Sequence, residues 1–152
     1  MMKLMNRHHI LLTVCALILV LICYLSVSAP MRFEEQVKER EKIVEDRMNS
    51  IQKAETQYLR THGYYTASLD SLVKEGLLAD SLRFIPFSDD VMFSIQASME
   101  QLESGETVPQ MSCSASYRDY LNGMNEKEID NLIRRASEEG KFPGLIIGNV
   151  NP

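Results

Sequence analysis

Tryptophan is absent, histidine is limited to three residues, and no glycine precedes Gly63. With only seven Gly, three Cys and three His, the chain has no glycine-rich loop to cradle a phosphate and no tetrahedral cluster to hold a metal. An oxygen-only calcium site among scattered acids stays open, but no cofactor is expected. Cys15 and Cys23 both fall in one apolar run, which leaves Cys113 without a disulfide partner in the rest of the chain. A basic excess is also missing. Beyond residue 29, fourteen Lys and Arg face 21 acids, a formal charge of −7. That sign argues against nucleic acid as a partner and against a polybasic membrane patch.

The most informative absence is local. From Ile10 to Ala29 no side chain is charged, and twelve of these residues are Leu, Ile or Val. As a helix the run would be about 30 Å long, the thickness of a bilayer's hydrocarbon core. Its aliphatic residues favour insertion by roughly 4 to 7 kcal/mol. Lys3 and Arg7 precede the run and Glu34 and Glu35 follow it, so residues 1–9 are expected in the cytoplasm and the rest outside. A cleaved signal peptide is the competing reading, because Val27-Ser28-Ala29 has the small residues of a cleavage site. Pro30 just after that cut and the length of the run weigh against it. Val14 and Ile22, before Cys15 and Cys23, do not fit a lipoprotein motif.

Residues 30–61 are expected to form a long helix, with Pro30 tolerable at its start. Phe33, Val37, Val44, Met48, Ile51 and Tyr58 fall on one helical stripe. The stripe is broken where Arg40 and Glu41 stand, so the first half reads as a stalk and the second half as packed on a domain. Exposed Val37, Val44 and Met48 would then form a partner surface. A two-stranded coiled coil fits poorly, since its seam would contain Arg40, Arg47 and Glu55.

Residues 62–152 read as one small α+β domain. Gly63 ends the long helix in a left-handed conformation, and Ser68 caps a short helix from Leu69 to Glu75 that stops at Gly76. The period then changes to two. Val91, Phe93, Ile95, Ala97 and Met99, then Met111, Cys113, Ala115 and Tyr117, alternate around a turn at Glu103 to Glu106, the pattern of a β-hairpin. Pro109 suggests an edge position for the second strand. Arg83 to Phe87 is expected to add a short third strand, and Leu145 to Ile147 to return to the sheet. Asn125, with Glu128 three residues on, opens a C-terminal helix that Gly140 closes.

Chemistry has few candidates. His62 is the one histidine beyond the apolar run, and Cys113 alternates in phase with Met111 and Ala115 as a core residue. A nucleophilic pair of the two is therefore not expected. Asp89-Asp90 reads as a loop rather than an acid pair. His8 and His9 are most simply interfacial. No catalytic, cofactor-binding or metal residue is assigned.

The segment Ile51-Gln52-Lys53-Ala54, Tyr58, Gly63-Tyr64-Tyr65, Ser68-Leu69-Asp70-Ser71-Leu72 and Gly76-Leu77-Leu78 resembles the helix end and following loop of type IV pilin-like proteins, above all the major pseudopilins of type II secretion. The resemblance covers about 30 residues and implies a structural junction at Ile51, Ala54, Tyr58, Gly63, Tyr65, Leu69 and Leu72, with the aromatic after the turn folded back on the helix. The layout implied is a membrane helix running into a long helix, then a small antiparallel sheet. The prepilin leader glycine is missing, as is an acid within Ile10 to Ala29, so the family's processing and glutamate-driven polymerisation are not implied. Tyr120-Leu121, Asn131-Leu132-Ile133 and Phe142-Pro143-Gly144-Leu145 are similar to a group of single-pass proteins of anaerobic Gram-negative bacteria, in which the chain commonly continues past this point; that likeness carries no activity.

The expectation is a single-pass envelope protein with a structural or interaction role in a secretion or surface assembly. Its partners would be the membrane, other envelope proteins, or a second copy through the long helix. A division-site-type bitopic scaffold and a cleaved, secreted binding domain are the alternatives.

Overall fold

The computed structural model describes residues 2–103 and 105–148, and within them the side chains of residues 9–24, 31–103 and 105–148. Lys3, Arg7, His8, the Ala29-Pro30 junction, Ser104 and the ending 149–152 therefore carry expectations that lie outside the described side chains. Helix α1 spans Met2–His62. Position 30 is inside it, so this proline is not a helix start. Contacts divide the chain into two units, Met1–Lys38 and Glu39–Pro152.

In the first unit, the large apolar residues from Ile10 to Tyr24 are exposed. Among the described residues no helix is long and apolar enough to cross a membrane. The expected span, Ile10 to Ala29, runs past the described side chains, which stop at Tyr24 within it.

The second unit is α+β. Residues 39–62 of α1 lead to helix α2 (Leu69–Lys74), a 3₁₀ turn at Asp80–Arg83, strands β1 (Ser94–Gln101) and β2 (Thr107–Ser116), helices α3 (Tyr117–Tyr120) and α4 (Glu126–Glu138), and strand β3 (Gly144–Gly148). The sheet is antiparallel throughout, in the order β1-β2-β3.

The local signals account for most of these ends. Gly63, Gly76 and Gly140 all have positive φ, where a side chain is disfavoured. The Ser68 hydroxyl accepts from the Ser71 N–H, which caps α2. Asn125 caps α4 through the Lys127 N–H, without the reciprocal bond of a full capping box.

Three expectations are corrected. Arg83 to Phe87 forms no strand: Arg83 ends the 3₁₀ turn, and only a single bridge joins Phe84 to Met92. Tyr117 leaves the sheet, because Ser116 and Asp119 cap each other's backbone in a complete capping box that starts α3. Pro109 lies in the central strand rather than an edge strand, opposite Met99. The register explains why it is tolerated. Leu102 donates to the Glu106 carbonyl, so hydrogen-bonded pairs fall on even residues of β2 and the position of Pro109 faces away from β1. On that side the described β3 pairs with Ser112–Ser116 alone, so among the described residues no ladder bond is missed.

The core joins the helix stripe to the sheet face. Val44, Met48, Ile51 and Tyr58 are buried on α1, as are Met111, Cys113 and Ala115 on β2. From Val44 to Tyr58 the stripe is continuous, with Glu55 filling the position between Ile51 and Tyr58, while Arg40 and Glu41 are only half-buried.

Candidate functional site

The expected partner surface is not a free face. Val37, Val44 and Met48 are 7%, 0% and 0% exposed. The polar residues beside the stripe have partners within the unit. Arg40 donates through Nη1 to the carbonyls of Tyr120 (3.0 Å) and Asn122 (2.9 Å), and its guanidinium lies 4.5 Å from the Phe87 ring centroid. Glu41 accepts from the Tyr120 hydroxyl at 3.3 Å, and Arg47 donates to the carbonyls of Ser81 and Phe84. These half-buried side chains reach across to α3, the 3₁₀ turn and the residues that follow them. Phe87, held under Arg40, has φ +65, a rare conformation for a bulky side chain.

The junction residues divide into core and turn. Ile51, Ala54, Tyr58, Leu69 and Leu72 are buried, Gly63 supplies the left-handed turn, and Tyr65 is half-buried. Tyr64, although exposed, is the aromatic after the turn whose ring meets those of the helix end. Its ring meets Tyr58 edge-on at 5.8 Å and His62 at 6.1 Å, while Tyr58 and His62 stack at 4.0 Å. A bond to Tyr64, with burial behind it, pushes the Tyr58 hydroxyl up to about 12.

Glu55 is the residue that pattern reading left aside. It is fully buried. Oε2 accepts from the Thr66 N–H at 2.9 Å, and Oε1 is buried with no hydrogen-bond partner among the described residues. Burial outweighs the Thr66 bond and pushes the carboxyl up to about 7. The available signal was the seven-residue step from Ile51 to Tyr58, which encloses one carboxylate at a core position.

Cys113 and His62 have separate surroundings. The thiol is buried in β2 and pushed up to about 12, by burial first and by the nearby Glu55 second. The His62 ring nitrogens face the Tyr58 carbonyl and the Glu75 carboxylate, the latter at 3.4 Å. Asp89 accepts from the Asn122 amide, and Asp90 takes a positive φ in the same turn. His9 is exposed. Among the described residues, no three His, Cys, Asp or Glu side chains converge as metal ligands would. No protein-family model, curated protein or solved structure matches the chain.

Proposed function

We propose that the chain is a single-pass envelope protein whose N-terminus is cytoplasmic and whose unit of residues 39–152 lies outside, as a structural or interaction component of a secretion or surface assembly. The observation that carries this reading is the exposure of six consecutive apolar residues, Leu17 to Ile22, which cover every face of their helix. Each such side chain left in water forgoes about 1.5–3 kcal/mol of burial, so lipid is the medium that suits them. The acid-rich remainder of the chain suits water.

The pilin-like layout supports an assembly role: a long helix, a short capped helix and then a three-stranded antiparallel sheet. A non-catalytic role is supported by the raised Cys113 thiol and by the engagement of His62 with Tyr58 and Glu75. The coiled-coil scaffold is disfavoured, because the seam it needs, Val44, Met48 and Ile51, is buried within the chain's own unit.

Alkaline carbonate extraction of cell membranes, followed by protease treatment of spheroplasts, tests the location. The chain is expected to stay in the pellet, with residues 39–152 digested from outside. Release into the supernatant overturns the anchor, and N-terminal sequencing that begins at Pro30 or Met31 establishes the secreted form instead. For the assembly role, photo-cross-linking from exposed positions such as Met92 and Met99 is expected to capture envelope proteins. A chain that stays monomeric from every position overturns it.

A further inference from the structure

A buried carboxylate ordinarily pairs with a cation or keeps its proton. Among the described residues Glu55 has no cation. The groups facing it are Tyr58 one turn along α1, the Thr66 N–H from the loop between α1 and α2, and the Cys113 thiol from β2. Behind Tyr58 stand His62, Tyr64 and Glu75. Among the described residues no ion pair reaches Glu55, and its Oε1 is buried and unpartnered.

The bond from the Thr66 N–H to Glu55 holds up a short relay. The Thr66 hydroxyl accepts from the Ser68 N–H at 3.2 Å, and the Ser68 hydroxyl accepts from the Ser71 N–H at 3.3 Å in the first turn of α2. The seat of α2 thus depends on Thr66, and Thr66 depends on Glu55. Leu69 and Leu72, which α2 buries, are carried on the same relay.

We propose that Glu55 is a proton-operated latch on the α1–α2 junction: its neutral carboxyl keeps residues 63–68 and α2 seated, and its ionisation loosens them by drawing water to the buried oxygens. Ionisation makes Oε2 a stronger acceptor for Thr66 but leaves a charge at Oε1 with nothing to solvate it. Desolvation is the larger effect, so the carboxyl sits near 7 in the folded unit against 4.5 for an ordinary glutamate. The folded state then holds the extra proton between these values. Its contribution to stability is complete below about pH 4.5, declines as pH rises, and is gone above about pH 7.

The test uses the full chain in detergent micelles, melted at about pH 5.5 and about pH 8. With values of 4.5 and about 7, the equilibrium constant for opening is expected to rise roughly 30-fold between the two conditions. Glu55→Gln keeps an acceptor for Thr66 without the charge, and is expected to melt alike at both. His62→Gln is expected to keep the wild-type slope. Exchange protection of the Thr66 amide, corrected for intrinsic rate, is expected to fall with pH in the wild type only. A wild type that melts alike at both pH values, or a slope that survives Glu55→Gln, overturns the latch. Should Glu55→Gln fail to fold, the infrared carbonyl band of a protonated buried carboxyl in the wild type decides. Loss of that band near pH 7 together with Thr66 protection supports the proposal, and its absence at about pH 5.5 overturns it.

Discussion

Arg40 holds two carbonyls and an aromatic face with one planar group. Its Nη1 donates to Tyr120 and Asn122, at the end of α3, where carbonyls lack helical partners. Lysine has no plane to lay on the Phe87 ring and a different reach to the two carbonyls, so Arg40→Lys is expected to destabilise the unit, though by less than the about 1–3 kcal/mol of Arg40→Ala, by urea unfolding. A lysine variant as stable as the wild type would show that charge alone suffices. Cys113 gives the second prediction at this scale. With its thiol pushed up to about 12, roughly one molecule in ten thousand carries the thiolate at pH 8. In a chain with Cys15 and Cys23 replaced by alanine, Cys113 is expected to resist maleimide until denaturant is added. Rapid native labelling would make it an accessible nucleophile and reopen the pairing with His62.

Strand β3 depends on two glycines at its ends. A Cβ on Gly144 would lie 2.1 Å from the Ala115 carbonyl oxygen, and one on Gly148 would lie 2.1 Å from that of Met111. Backbone cannot yield as a side chain can, so Gly144→Ala is expected to detach β3 at a cost of about 2 kcal/mol or more. Odd residues of β2 face β3, as the Tyr117 N–H to Pro143 carbonyl bond at 3.0 Å continues to show. Hydrogen exchange is therefore expected to quicken at Cys113, Ala115 and Tyr117 but not at Ser112 and Ser114, which face β1. Equal quickening on both sides would mean general unfolding instead.

The same parity shows what was legible in the sequence and what was not. Strand existence and capped helix ends follow from local chemistry, and Gly63, Ser68 and the alternation around Cys113 marked them. Strand order is a tertiary matter, which is why Pro109 pointed to the wrong place in the sheet while being locally tolerable. Ser116 and Asp119 carried a readable helix start, but the alternation running through to Tyr117 overrode it. Arg40, Glu41 and Glu55 were legible only as interruptions, because their partners (Tyr120, Asn122 and Thr66) lie far along the chain or across a turn. A polar residue in an apolar stripe reads as a defect until its partner is in view.

At the scale of the molecule, these interruptions move a boundary. Reading the stripe as broken assigns residues 30–61 to a helix that supports a domain starting at 62. The contacts place the start of the compact unit at Glu39. The difference has an energetic consequence. Val44, Met48 and Ile51 are fully buried, and at about 1.5–3 kcal/mol each they contribute roughly 5–9 kcal/mol. That is comparable with the whole stability of a small domain, about 5–15 kcal/mol. A chain starting at Glu39 keeps these side chains together with Arg40, Arg47 and Glu55, and is expected to unfold cooperatively with near-UV dichroism intact. A chain starting at His62 loses all six and exposes the buried sheet face of Met111, Cys113 and Ala115. It is expected to lack a cooperative transition and to bind a hydrophobic dye. Were the shorter chain to melt as sharply as the longer one, residues 39–61 would be a support after all, and the polar contacts of Arg40 and Arg47 would be decoration on an independently folded domain.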